Sequence, residues 1–159
     1  MRLSLCLFGA TLIRNSAFFS PFYQAKKFQQ SIVRMSNGVP DNLVKTMTVG
    51  EFEAILKGDT RGNYQIIDVR EPSELSQAAL SDSFVLNLPL SQAQDWASKL
   101  ETGYKLDNSK PTICLCHHGM RSMRVAQFLT QQAGFDEVYN LDGGIHKYAD
   151  KVDPKIGFY

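Results

Sequence analysis

Three cysteines, at positions 6, 114 and 116, are too few to frame a disulfide-stapled fold. Cys114 and Cys116 are also too close along one strand to pair with each other. The folded body is therefore expected to work where thiols stay reduced. The apolar run at 3–13 stops after 11 residues, far short of the roughly 20 that cross a bilayer. Acid is missing altogether from residues 1–34, which carry Arg2, Arg14, Lys26, Lys27 and Arg34. The rest of the chain then holds all 16 acidic side chains and only the remaining basic ones, so the overall charge of +1 hides an acidic body. Such a body, with no basic stripe and no low-complexity tract, is not built to grip nucleic acid. No internal repeat is visible. With 43% apolar and 21% charged residues in 159, what remains is an ordinary globular composition and enough chain for one core.

The acid-free start contains Ser4, Ser16, Ser20 and Ser31 among many apolar residues. That composition predicts an organelle transit peptide over residues 1–35, for a chloroplast or a mitochondrion. A bipartite address, a signal followed by a transit part around S-A-F-F-S-P, is an alternative. Translation from Met35 would give a cytoplasmic form. Residues 36–43, rich in Ser, Asn, Gly, Pro and Asp, read as a linker, and 44–159 as one folded domain.

Within that domain, strand and helix patterns alternate. An edge strand at 44–47 precedes Thr48 and Glu51, a capping box for a helix whose apolar face is Phe52, Ile55 and Leu56. Gly58 stops that helix. A second strand, 64–69, leads through Arg70 into a short helix at 71–78 with Pro72 in its first turn. A third strand at 84–88 ends at Pro89. Ser91 and Gln94 predict a second capping box, for a helix reaching Leu100. A fourth strand begins at Thr112, and a helix from Ser122 to Ala133 follows it, with Val125, Ala126, Leu129 and Ala133 at helical spacing. A fifth strand at 137–141, a turn at Asp142, Gly143 and Gly144, and a helix at 145–149 complete the domain. This alternation predicts an α/β fold with a mainly parallel five-stranded sheet flanked by helices.

The chemistry concentrates where the fourth strand becomes a helix. Cys116 sits there, beyond an apolar run and before His117, His118, Gly119, Met120 and Arg121. Unsatisfied backbone N–H groups and the positive end of the helix dipole favour a thiolate at such a place. Cys114, inside the apolar run, reads as a buried small hydrophobe. Gly119 allows successive N–H groups to turn inward as an anion-binding nest, and Arg121 adds a fixed charge or ties the loop to an acid such as Glu71 or Asp68. In open α/β sheets sites lie beyond the carboxyl ends of strands. Asp68 with Arg70, Cys116, and the Gly143-Gly144 turn are therefore expected on one rim, with Asp68, Arg70, Glu71, Gly143 and Gly144 as supports. A metal held by His117, His118, His146 and the cysteines is not expected, because adjacent side chains diverge and zinc-type pair spacings are missing.

Four segments carry a resemblance to a known family: I-I-D-V-R-E-P-S-E-L at 66–75, N-L-P-L at 87–90, I-C-L-C-H-H-G-M-R-S at 113–122 and G-F-D-E-V-Y-N-L-D-G-G-I at 134–145. In these the chain resembles the rhodanese-like family over roughly residues 48–149. The resemblance implies a sulfurtransferase in which Cys116 carries a sulfane sulfur as a persulfide and residues 117–121 form the active-site loop. It implies a small sulfur donor such as thiosulfate and a cyanide, small-thiol or protein-thiol acceptor. No cofactor, no nucleic-acid or membrane partner and a monomer are expected. Related phosphatases and arsenate reductases use a C-x5-R loop, whereas Cys116 and Arg121 enclose four residues, a smaller cradle suited to sulfur. The family's G-H-I-P-G-A segment is replaced by Q-A-A-L-S-D-S at 77–83, which leaves substrate choice open. The ending K-V-D-P-K-I-G-F-Y is similar to the tails of some bacterial and plastid members, including ones fused to a parvulin-type isomerase, and is expected to pack over an exposed surface. Two rival functions stand beside sulfur transfer: a catalytically quiet binding module, and a thiol redox or arsenate-reducing enzyme using Cys116 and Cys114.

Overall fold

Short β-rich runs flanked by Pro, Gly and capping residues become the strands of one parallel sheet in the computed structural model, which describes residues 43–80 and 84–159. The leader, most of the linker, Cys6 and residues 81–83 lie outside the described residues. The strands are β1 (Lys45–Met47), β2 (Gln65–Asp68), β3 (Val85–Asn87), β4 (Thr112–Leu115) and β5 (Val138–Leu141). They lie in the order β1-β5-β4-β2-β3, with every neighbouring pair parallel. The helices are α1 (Val49–Lys57), α2 (Pro72–Leu75), α3 (Ala93–Trp96), α4 (Met120–Gln131) and α5 (Gly144–Lys151).

Both faces of the sheet are covered, which is why its central strands read as unbroken apolar runs rather than alternating ones. Strand β4 is buried at all four positions. One face packs Ile67, Cys114 and Val138 against Val125, Phe128 and Leu129 of α4 and against Trp96. The other packs Ile66, Ile113, Leu115 and Leu141 against Phe52 of α1 and against Ile145 and Tyr148 of α5. Because all strands run the same way, the ends of β2, β4 and β5, neighbours in the order, open on one rim.

Local chemistry sets most boundaries. Thr48 caps α1 through a complete capping box with Glu51. Pro72 occupies the first turn of α2, whose N-cap Glu71 forms a second box with Glu74. The box expected from Ser91 and Gln94 does not form. The Ser91 N–H, which the box would give to Gln94, donates to the Glu71 carboxylate at 3.1 Å, as does the Ser91 hydroxyl at 2.6 Å, and α3 starts at Ala93 with no side-chain cap. That helix ends at Trp96 rather than Leu100, its indole N–H donating to the Pro89 carbonyl at 2.8 Å. Helix α4 starts at Met120, earlier than the expected Ser122, so Arg121 belongs to its first turn.

Candidate active site

The loop after β4 is fixed by its neighbours before any of its side chains act. Gly119 has φ +90° and caps α4. A Cβ on it would come within 3.1 Å of the Leu141 carbonyl, so the turn needs glycine for both conformation and clearance. The backbone carbonyls of Cys116 and His117 accept hydrogen bonds from the N–H groups of Ile145 and His146 at 2.9 and 3.0 Å. The start of α5 thus draws the loop's carbonyls outward. Gly144, at φ +59°, makes this approach possible: a Cβ there would lie 2.3 Å from the Cys116 carbonyl oxygen.

Cys116 is fully buried, and its sulfur has two donors within reach. The Gly119 N–H donates to Sγ at 3.1 Å. The Ser122 hydroxyl lies 3.3 Å from Sγ, 3.2 Å from the Gly119 carbonyl and 2.7 Å from Asn140 Oδ1. Ser122 and Asn140 are both buried, and sequence reasoning passed over both. The available signals were a polar residue inside the apolar V-Y-N-L strand and a hydroxyl one turn into the helix after the loop. Cys114 has the same complete burial without these donors, and that desolvation pushes its thiol far up.

Arg121 points at an acid, but not at either one expected. It forks onto Glu74, with Nη1 and Nη2 each 2.6 Å from a carboxylate oxygen. Asp68 and Glu71 are already engaged, Asp68 with Arg70 and Glu71 with Ser91. The Arg121 guanidinium holds the Glu74 carboxyl down at about 2, and the same bond holds Arg121 above its ordinary range. Glu74 was missed because its two jobs, N3 of a helix cap and partner to a residue on another helix, leave only a three-residue spacing from Glu71 in the sequence. Asp68 and Arg70 form a fully buried pair, 2.6 Å apart at the closest oxygen. Burial works against the Arg70 charge, and the bond to Asp68 outweighs it.

The surface over which the tail packs is this rim. The Tyr159 hydroxyl accepts from Arg70 Nη1 at 3.2 Å and donates to Glu74 at 3.0 Å. Its ring stacks on His117 with centroids 4.1 Å apart. His117 in turn stacks on His118 at 3.8 Å and meets His146 edge-on at 5.4 Å. The two adjacent imidazoles therefore lie together instead of diverging, and the three histidines bring ligand atoms within 4.8 Å of one another. Imidazole lone pairs lie in the ring planes, and the stacked planes of His117 and His118 are only 26° apart. Their lone pairs do not converge on one ion without rotation of a ring. Desolvation, then the neighbouring His118 and His146, push His117 below its ordinary range, so it is neutral at pH 7. Met120 is exposed, and His118 and His146 are exposed beside it.

Comparison with known proteins follows the same lines. The family model for the rhodanese-like domain matches residues 49–151. The chain is 47% identical over 95 residues to Rhodanese-like/PpiC domain-containing protein 12, chloroplastic, of Arabidopsis thaliana, covering 60% of this chain and 30% of that protein; it thus spans under a third of that relative's length. It is 34% identical over 80 residues to Thiosulfate sulfurtransferase GlpE of Shewanella oneidensis, covering 50% of this chain and 70% of that one. Among solved structures it is similar to a rhodanese-related protein of Thermoplasma volcanium, at 28% identity and a TM-score of 0.50, over 68% of this chain and 93% of that one. It is also similar to the reduced CoADR-RHD protein of Bacillus anthracis, at 30% identity and a TM-score of 0.55, over 74% of this chain and 19% of that one. With the five-stranded parallel sheet and a family model spanning most of the described residues, the chain belongs to the rhodanese-like domain family.

Proposed function

We propose that this protein is a ping-pong sulfurtransferase that carries a sulfane sulfur on Cys116. The observation that carries the reading is a cysteine at the end of β4 whose sulfur accepts from the Gly119 N–H at 3.1 Å, immediately before helix α4. In the first half-reaction the Cys116 thiolate attacks the outer sulfur of thiosulfate. The donor's S–S bond breaks, its electron pair leaves with sulfite, and Cys116 becomes Cys–S–S⁻. The N–H groups in the first turn of α4 have no intrahelical partners and face developing negative charge at the helix start. In the second half-reaction a thiolate or cyanide attacks the outer sulfur, and the electron pair returns to Cys116.

His117, His118 and Met120 line the mouth in this reading, Arg121 is held on the rim by Glu74, and Asp68, Arg70, Glu71, Gly143 and Gly144 support the loop. A thiolate attack needs no metal, no cofactor and no general base. The similarity to Thiosulfate sulfurtransferase GlpE supports the choice of thiosulfate as donor. The acid-free leader and the similarity to a chloroplastic protein favour delivery to a plastid, which imaging of a leader fusion tests.

Intact-mass measurement before and after thiosulfate treatment tests the activity. A gain of one sulfur, lost again on adding cyanide, is expected of the wild type and not of Cys116→Ser. No gain in the wild type would favour a binding module and overturn the proposal.

A further inference from the structure

The Ser122 hydroxyl has one proton and three acceptors within reach: Asn140 Oδ1 at 2.7 Å, the Gly119 carbonyl at 3.2 Å and Cys116 Sγ at 3.3 Å. We infer that Ser122 and Asn140 form a hydrogen-bond rotor that turns toward the Cys116 sulfur when it is charged and away when it is not. The inference rests on sulfur transfer through Cys116 as proposed above, and names the positioning residues that set how readily that sulfur is taken and given up.

The physical case starts from burial. Cys116, Ser122 and Asn140 lie on three different elements, none more than 6% exposed. A charged sulfur in such a place relies on protein donors, because burial strips most of its hydration shell. The backbone supplies one fixed donor, the Gly119 N–H. The hydroxyl is the second, and unlike the N–H it rotates. With a neutral sulfur its shortest acceptor is the Asn140 oxygen. With a thiolate, a charge-assisted bond to Sγ outcompetes a neutral amide oxygen. Turning the Asn140 amide over then presents its NH₂ to the Ser122 oxygen, so that both groups donate along the line toward sulfur.

This arrangement distinguishes the two chemical states of the cycle. In the free protein the charge sits on Sγ, where the rotor reaches it. In the persulfide the charge sits on the outer sulfur, and Sγ is a neutral bridging atom to which the hydroxyl owes nothing. The rotor therefore stabilises the thiolate more than the persulfide. When an acceptor attacks the outer sulfur, the S–S bond breaks and its electron pair moves onto Sγ, which makes Cys116 the leaving group. A hydroxyl that swings back to receive that charge speeds the step. The rotor thus promotes both thiolate formation before loading and sulfur discharge after it. Other titratable groups around the sulfur are Cys114 on β4, Arg121 on α4, Glu74 on α2, His117 and His118 in the loop and His146 on α5; none of them supplies a rotatable donor to Sγ among the described hydrogen bonds.

The test measures iodoacetamide alkylation of Cys116 against pH, read on the Cys116 peptide by mass spectrometry, and persulfide discharge to cyanide after thiosulfate loading. Ser122→Ala is expected to move the alkylation midpoint up by about one pH unit and to slow discharge about tenfold, close to the low end for losing one hydrogen bond to a charged group. Ser122→Thr, which keeps the hydroxyl, is expected to restore both. Asn140→Asp, of the same shape but holding the hydroxyl proton permanently, is expected to raise the midpoint as well, and serves if Ser122→Ala does not fold. An unchanged midpoint in a folded Ser122→Ala, or in Asn140→Asp, would overturn the inference. Absence of sulfur loading in the wild type with a shifted midpoint in the variants would instead count against sulfur transfer and leave the rotor standing.

Discussion

Strand β4 and the loop that follows it hold the two described cysteines under the same degree of burial and to different ends. Cys114 and Cys116 are both buried at 0% exposure and both belong to the core against α4. Burial pushes the Cys114 thiol far up, as it does any acid whose anion has lost water and gained nothing. At Cys116 the backbone has left the ladder, and a backbone N–H and a hydroxyl face the sulfur. Exposure therefore does not distinguish the two thiols; the donors facing the sulfur do. Two residues of chain suffice because a strand end is where backbone N–H groups cease to be claimed by the sheet.

Cys116→Ser is expected to abolish sulfur loading and turnover, a loss of at least about a thousandfold by the usual cost of removing a nucleophile. Cys114→Ser is expected to keep turnover within a few fold and to lose about 1–3 kcal/mol of stability, because a hydroxyl is buried without an assured partner. Steady-state thiosulfate:cyanide transfer and denaturant melts check both. Activity that dies with Cys114 would mean a dithiol mechanism instead.

Gly144→Ala attacks the mould rather than the nucleophile. Its Cβ would meet the carbonyls of Cys116 and His117 at 2.3 and 2.4 Å from a left-handed backbone, at a cost on the order of 2–4 kcal/mol. A melting curve should show that loss, and Cys116 alkylation should fall because the loop must shift. Wild-type alkylation in this variant would show that α5 does not set the loop.

Glu74→Gln is expected to act more mildly and with a definite pH signature. In the folded protein the Glu74 carboxyl is held at about 2, below its ordinary value of 4.5. Its contribution is therefore complete above about pH 4.5 and disappears as pH falls toward 2. The substitution should lower stability at neutral pH and flatten the acid limb between those values, which urea melts at a series of pH values will show. An unchanged acid limb would place the rim's acid sensitivity elsewhere. Tyr159→Phe is the smallest change: the ring stays on His117, while the link between Arg70 and Glu74 is lost, an expected loss of about 0.5–1.5 kcal/mol. Equal melts for Tyr159→Phe and the wild type would show that the hydroxyl carries no strain between the two pairs.

Much of this was legible in the residues. The strand–helix alternation, the Thr48–Glu51 box and Pro72 in the first turn of α2 announce themselves locally, because capping and helix propensity are short-range effects. So does the placing of Cys116 between an apolar run and a glycine turn. What did not show was every partnership made across the sheet. The choice of Glu74 over Asp68 or Glu71 for Arg121 depends on which acids are already taken by Arg70 and Ser91. The failed Ser91 cap has the same origin: the Glu71 carboxylate takes the Ser91 N–H that the local rule assigns to the Gln94 side chain. Asn140 reads as an unwelcome polar residue in a strand until Ser122 is seen 2.7 Å away. The tail gave no sign of its destination, since the ring and hydroxyl of Tyr159 are held by three separate segments.

The grip of α5 on the loop carbonyls of Cys116 and His117 has a consequence for assembly in time. Chain synthesis delivers Cys116 before it delivers the helix that binds its carbonyl. On the proposed function, a nascent chain that has just emitted Cys116 holds an ordinary strand-end thiol, and its loop is held in place once β5 and α5 dock. Sulfur loading during refolding should accordingly lag behind helix signal and keep pace with the burial of Ile145 and Tyr148, so that activity serves as a clock for the last docking step of the fold.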